Sequence, residues 1–307
     1  MKRKIIFLVG PTAIGKSETA ILLAKKINAE IVSCDSMQIY KGMDIITSKP
    51  KEASRRRIPH HLIGIISPGR QYNVSLYRKQ ALKEISRITK RGRVPLFVGG
   101  TGLYMSVLID GIFPEINSDK KIRKKLYWQA ERSGSAQLYE RLKIVDPEAA
   151  LKIHPNDTRR LVRALEVFEV TGQPISKLQK QRKGLGGEYD VVIFCLNTGR
   201  DILAKRIKNR IDRMFRQGLL EEVRKLLKVR LSRTAACAIG IQELRGFFSK
   251  AYGLKEAKLL MVRNTRQYAK RQLTWFRKDK RIHWINIGAN DTPAKVSGVL
   301  ADKILKG

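Results

Sequence analysis

With 307 residues the chain has room for one large α/β domain carrying an insertion. Its 63 Lys and Arg against 27 Asp and Glu leave a formal charge of +36, which repels itself unless a polyanion covers part of the surface, so nucleic acid is the first partner implied. Three cysteines, Cys34, Cys195 and Cys237, exclude a disulfide scaffold, and no apolar run reaches the roughly 18 residues of a membrane span; a soluble, cytoplasmic monomer without a membrane partner is expected.

The start "MKRKIIFLV" has the basic head and short apolar run of a signal peptide, but it feeds directly into "GPTAIGKS" and reads as a first strand, Lys4 to Gly10. "SETAILLAKKIN" follows with Ala20, Leu23, Ala24 and Ile27 at helical spacing, and "EIVSCD" (Glu30 to Asp35) makes the next strand. Strand, helix and strand within about 30 residues is the unit of a parallel sheet covered by helices. A helix over Val74 to Lys90, strands at Val94 to Gly99, Tyr189 to Asn197 and Ile282 to Gly288, and helices near Asp201 to Gln217, Leu219 to Leu227 and Leu254 to Arg277 continue the pattern. Between about Glu115 and Lys183 the apolar runs vanish. Helical stretches such as "KKIRKKLYWQAERSG" and "NDTRRLVRALEVFEVTG" replace them, the latter bracketed by Asn156 or Asp157 as N-cap and Gly172 as stop. The expected architecture is therefore a P-loop-like α/β core, residues 1–114 and 188–307, with a helical insertion over 115–187 that returns to the sheet through a linker at Lys177 to Gly187.

Gly10, Gly15, Lys16 and Ser17 match G-x-x-x-x-G-K-[ST] between a strand and a helix. Backbone N–H groups over Gly10, Pro11, Thr12, Ala13, Ile14 and Gly15 (all but the proline) encircle a phosphate in such a loop. Lys16 adds a point charge, and Ser17 is placed to hold Mg²⁺. Asp35 emerges at the carboxyl edge of the sheet, where a carboxylate ligates Mg²⁺ or takes a proton. In "VGGTGLY" the glycines let backbone approach a ligand closely, and Thr101 offers a hydroxyl. Arg206, Arg210 and Arg213, spaced four and three, share a helix face able to close over a diphosphate.

On the C-terminal helix Val262, Thr265 or Ala269, Leu273 and Phe276 read as the packing stripe, offset from Arg263, Arg266, Lys270 and Arg277; Arg159, Arg160 and Arg163 form a basic group in the insertion. These groups favour a polyanion in a cleft between core and insertion. His60 and His61 lack the partners of a metal site and are assigned a structural role, and Trp128, Trp275 and Trp284 are assigned to cores. The motif does not name the nucleophile, and on these residues an ATP-dependent nucleotide or nucleoside kinase and a nucleotide-switched RNA-binding protein both stand as readings.

The segments "GPTAIGKS", "DSMQIYKGMDI", "IPHHLI", "VGGTGLY", "NDTRRLVRALEV", "RIDRMFRQGLLEEV", "AIG" at Ala238 to Gly240, and "TRQYAKRQLTWFRKDKRIHWI" together resemble the tRNA dimethylallyltransferases of compact bacterial type. The resemblance runs to about Ile285. It implies transfer of a dimethylallyl group from dimethylallyl diphosphate, with Mg²⁺, to N6 of adenosine 37 in the anticodon stem-loop of tRNAs that read codons starting with U. On that mapping Lys16 and its loop hold the diphosphate, Ser17 supports it through Mg²⁺, Asp35 takes the N6 proton, and Thr101 and Arg210 meet the leaving group. Asp35, Ser36, Met37 and Gln38, then Arg159, Arg160, Leu161, Val162 and Arg163, and Cys237, Ala238, Ile239, Gly240, Ile241 and Gln242 are implied tRNA contacts. The chain departs from the family pattern at Ile46 (usually Gly), Gly64 (usually Asp) and Ile241 (usually Tyr), which implies altered tRNA grip before lost chemistry.

Overall fold

The computed structural model describes residues 2–112 and 119–306, which fall into two compact units: Met1–Ile109 with Gly186–Gly307, and Asp110–Leu185. Glu115, the expected start of the insertion, lies outside the described residues.

In the larger unit the chain runs β1 (Arg3–Val9), α1 (Lys16–Lys26), β2 (Ala29–Cys34), α2 (Glu52–Arg57), β3 (His60–His61), α3 (Val74–Lys90), β4 (Val94–Gly99) and α4 (Gly102–Ile109). The smaller unit holds α5 (Lys120–Ser133), α6 (Ser135–Val145), α7 (Pro147–Ala150), α8 (Thr158–Thr171) and α9 (Ile175–Lys180). The larger unit resumes with β5 (Tyr189–Asn197), α10 (Arg200–Arg216), α11 (Leu219–Leu227), α12 (Ile241–Phe248), α13 (Leu254–Phe276), β6 (Ile282–Asn286) and α14 (Pro293–Lys306).

The six strands form one all-parallel sheet in the order β3-β2-β4-β1-β5-β6. Ile5 to Val9 are buried on both sides of the sheet, as a central parallel strand covered by helices requires. The chain leaves β1 toward one edge and later returns to its other side through β5. The carboxyl end of β1 is thus the switch point of the sheet, where open α/β folds place ligands. Register delivers the site there: Val9 and Cys34 both pair with Gly99, so the residues that follow each strand, Gly10, Asp35 and Gly100, leave the sheet side by side.

His60 and His61, assigned a structural role and not read as a strand, form a sixth, edge strand. The His61 Nε2 lies 2.6 Å from Glu30 Oε2, and Glu30, almost fully buried, is also held by Arg91 at 2.7 Å. The segment read as a linker instead contributes part of α9 and a short turn at Leu185–Gly187, because Leu178 and Leu185 are buried. Trp128 and Trp275 are exposed, not core, and Trp128 carries Arg132 over its ring. The packing stripe of α13 runs through Ala257, Met261, Ala269, Gln272 and Phe276, rotated from the expected Val262 and Leu273.

The smaller unit has its own apolar core, built from residues such as Leu126, Leu142, Leu161, Val162 and Leu165. Asp157 caps α8 through the Arg160 N–H and Gly172 ends it in a left-handed conformation. Among the described residues no helix is long and apolar enough to cross a membrane.

Candidate active site

The loop after β1 is the floor of a cleft of about 850 Å³ lined by Thr12, Lys16, Ser17, Asp35, Gln38, Arg206, Arg210, Arg213, Tyr268 and Gln272, among others. Positive φ at Gly10, Ala13 and Gly15 curls the loop, and α1 begins with no side-chain cap, so its first N–H groups face the loop's concavity and suit an anion. Lys16 Nζ folds back to donate to the Gly10 and Pro11 carbonyls at 2.9 and 2.7 Å. Burial, reinforced by the Arg210 charge, pulls its pKa down to about 8, while Asp35 works in the opposite direction.

Arg210 reaches the loop from α10 and donates to Thr12 Oγ1 at 2.9 Å; Arg206, one turn earlier, donates to the Ile14 carbonyl at 3.2 Å. Their helix is held by Ile207, Ile211 and Met214, which are buried, so the arginines are presented to the cleft by the periodicity read in the sequence. Burial pulls Arg210 below the ordinary arginine range, and Asp35 opposes that shift. Lys16, Arg210 and Asp35 therefore act on one another: two cations at an anion-ready loop, and a carboxylate whose charge opposes the downward shift of both.

Asp35 is fixed by its own turn, its Oδ1 accepting from the Met37 N–H at 2.8 Å. The next amide, Ser36 N–H, donates to Thr101 Oγ1 at 3.1 Å. Thr101, expected to meet the diphosphate, is not among the residues lining the cleft: its hydroxyl is engaged by Ser36 and by the Tyr268 phenol, where it orients the Asp35 turn.

Two residues of α13 were missed by sequence reasoning. Gln272, almost fully buried, donates from Nε2 to the Gly100 carbonyl at 2.9 Å and accepts at Oε1 from the Thr12 N–H at 2.9 Å, tying the phosphate loop to the glycine loop after β4. A Cβ on Gly100 would lie 1.9 Å from that Nε2, so this approach requires glycine. Tyr268, one turn earlier, faces the cleft with a hydroxyl that burial pushes well above the ordinary tyrosine range, so it stays a donor. The available signal was a glutamine standing three residues after Ala269 and four before Phe276 on an apolar stripe, the mark of a buried amide with fixed partners.

Ser17 and Asp35 place a hydroxyl and a carboxylate in the cleft, the hard oxygen donors that Mg²⁺ takes. Among the described residues no three His, Cys, Asp or Glu side chains cluster for a metal, so such an ion would complete its shell with phosphate oxygens and water.

The expected RNA contacts divide by burial. Arg159 and Arg160 are exposed on α8. Leu161 and Val162 are core residues with no side-chain surface to offer, and Arg163 is bound at 2.9 Å to Glu166, which is 0 % exposed and also held by Arg123. In the third segment Cys237 and Gln242 are exposed and Ile239 half-buried, while Ala238, Gly240 and Ile241 are buried by packing. Two departures from the family pattern are thereby explained as packing: Ile46 lies beside Gly240, and Ile241 fills the start of α12. Glu222 fixes the loop at Ile46 by accepting from the Asp44, Ile45 and Ile46 N–H groups at 2.7–2.9 Å. Gly64 takes φ +61°, a conformation that costs an aspartate more than a glycine.

Sheet order and phosphate loop define the class, a P-loop α/β protein with a helical unit inserted after α4. The family model described as IPP transferase matches residues 38–279, and one described as isopentenyl transferase matches residues 3–58. The chain belongs to the IPP transferase family. It is similar to the tRNA dimethylallyltransferase of Geobacter sulfurreducens, 45% identical over 94% of each chain, and to that of Carboxydothermus hydrogenoformans, 46% identical over 94% of this chain and 93% of the relative. Among solved structures, the tRNA isopentenylpyrophosphate transferase of Bacillus halodurans aligns at TM-score 0.71 and 36% identity over 99% of this chain and 98% of that one. A eukaryotic dimethylallyltransferase acting on tRNA aligns at TM-score 0.81 and 29% identity over 99% of this chain and 80% of that one.

Proposed function

We propose that this protein transfers a dimethylallyl group from dimethylallyl diphosphate to N6 of adenosine 37 in tRNAs that read codons starting with U, releasing diphosphate. The observation that carries the reading is the juxtaposition of a cationic phosphate cradle, Lys16 and Arg210 over the loop, with the Asp35 carboxylate, whose charge acts on both cations, in the same cleft.

An exocyclic adenine amine is a weak nucleophile because its lone pair is shared with the ring. Asp35 orients the N6 amine and accepts its proton as the new C–N bond forms. The bond from the allylic carbon to the diphosphate oxygen breaks, and negative charge gathers on the leaving group. Lys16, Arg210 and the loop N–H groups stabilise that charge where it develops, and the Tyr268 hydroxyl stands ready as a further donor. Ser17 would hold Mg²⁺, which would add neutralisation of the diphosphate charge. No phosphoryl group moves, which separates this chemistry from a kinase. Arg159 and Arg160 supply contacts to the RNA backbone from the helical unit.

Incubation with unmodified tRNA, Mg²⁺ and dimethylallyl diphosphate, followed by nucleoside mass spectrometry, tests the proposal. One added prenyl mass on a single adenosine and free diphosphate are expected. Phosphate transfer from ATP without prenylation would replace it with the kinase reading.

A further inference from the structure

The lining of the cleft also draws on a segment outside the phosphate loop. There α2 carries Ser54 and Arg55 into the lining, and His60 follows at the start of β3. Of the neighbouring charges, Arg56 pairs with Glu52 at 2.7 Å and Lys49 with Asp44 at 2.7 Å. Arg55 is different. Its Nε is buried and meets no acceptor among the described residues, while the residue as a whole is only partly buried and lines the cleft. A buried guanidinium N–H without an acceptor costs stability, and the partly exposed remainder of the same guanidinium on the wall of a ligand cleft is complementary to an anion that arrives with the ligand.

His60 beside it has a defined hydrogen-bonding polarity. Its Nδ1 is 2.6 Å from the Ile58 carbonyl, and a carbonyl only accepts, so Nδ1 carries the hydrogen. Burial, with Arg55 adding its charge, holds the ring below the ordinary histidine range, so Nε2 keeps a free lone pair. That atom accepts a hydroxyl hydrogen and repels a phosphate oxygen. Arg55 and His60 therefore offer, side by side, a donor for an anion and an acceptor for an alcohol.

We propose that Arg55 and His60 form a ribonucleotide subsite, Arg55 binding a phosphodiester oxygen next to the target adenosine and His60 Nε2 accepting from a ribose 2′-OH. The subsite rests on the RNA reading of the cleft given above and adds a means of telling RNA from DNA. The other source of phosphate oxygens is the prenyl diphosphate, which carries no 2′-OH.

The test uses the full-length protein and an anticodon stem-loop RNA. Binding is measured for the RNA itself and for versions carrying one neutral methylphosphonate or one 2′-deoxy sugar at each nucleotide flanking the target adenosine. The unaltered protein is expected to lose roughly ten-fold in affinity at one methylphosphonate and at one deoxy sugar, the scale of a hydrogen bond to a charged group or of a buried acceptor left unpaired. Arg55→Gln should bind the unmodified RNA as weakly as that methylphosphonate, lose its discrimination there, and reduce the salt slope by about 0.7. His60→Asn, which keeps a donor for the Ile58 carbonyl and lacks the Nε2 acceptor, should lose discrimination only at the deoxy sugar. A flat scan with the unaltered protein overturns the subsite, and that arm needs no variant to fold. A fall in prenyl diphosphate affinity for Arg55→Gln with RNA affinity unchanged overturns it too, assigning Arg55 to the donor. Because the scan reads binding without turnover, prenyl transfer with a flat scan defeats the subsite alone. A normal scan without transfer defeats the proposed reaction alone.

Discussion

Replacing Gln272 by Leu removes a side chain that joins the two loops bearing the phosphate site, at nearly constant volume. Two hydrogen bonds go with it, Gln272 Nε2 to the Gly100 carbonyl and Thr12 N–H to Oε1, both 2.9 Å. Gly100 is buried, so its carbonyl has no access to water and carries the full penalty of an unpaired acceptor, roughly 1–3 kcal/mol. Thr12 is half-buried and recovers part of its loss from solvent, which puts the total at about 2–4 kcal/mol. For a domain of this size that lowers the melting temperature by roughly 5–15 °C. The loop also loses its anchor opposite Arg210, so donor affinity should fall while stem-loop RNA affinity holds. Gln272→Glu keeps the acceptor for Thr12 N–H and sets a carboxylate oxygen against the Gly100 carbonyl, so it should be no more stable than the Leu variant despite its closer shape. Differential scanning fluorimetry and calorimetric titration with dimethylallyl diphosphate read both effects. A Leu variant with unaltered melting and donor affinity would refute the clamp.

Asp35→Ala should slow bond formation by roughly 10²- to 10⁴-fold in single-turnover experiments with smaller changes in binding; an unchanged rate removes Asp35 from the base role. Lys16 has a folded pKa of about 8 and an unfolded value near 10.5, so its charging penalises the fold below pH 8 and stability rises as pH climbs from 8 to 10.5. Lys16→Met should abolish that rise, and in the unaltered protein donor affinity should fall as pH passes upward through about 8. In the helical unit Arg159→Ala should flatten the salt dependence of tRNA binding by roughly 0.7–0.9 without changing the melting temperature. Arg163→Ala should instead lower thermal stability by about 1–3 kcal/mol, because it strips one partner from the buried Glu166 carboxylate.

The strands were legible because a parallel sheet covered on both faces writes short, unbroken apolar runs, and β4 and β5 match their expected ends. The phosphate loop, Asp35 and the Arg206–Arg210–Arg213 face were legible because each lies within one local pattern. What sequence hid was set by contacts between distant segments. The two-residue β3 carries no period of its own and exists because it pairs with β2 beside the buried Glu30 cluster. The rotation of α13 follows from Gln272, whose partners stand at Thr12 and Gly100. For Thr101 the sequence offered a hydroxyl and the family mapping, and the partners of that hydroxyl, Ser36 and Tyr268, come from distant segments. Likewise nothing local in "TRRLVR" separates Arg163, bound to a carboxylate that carries no charge partner nearby in the helix except this one, from the exposed Arg159.

The Gln272 clamp also bears on the order in which the protein is made. Its partners lie 172 and 260 residues earlier in the chain. While the ribosome is still translating the region before α13, the phosphate loop and the glycine loop have both emerged, yet neither has its tether. The site is therefore completed by nearly the last helix to appear, and a nascent chain carries the whole signature motif before it has a cradle able to hold prenyl diphosphate. Premature termination anywhere before Gln272 would yield polypeptides that retain the motif and lack the bridge between its two loops.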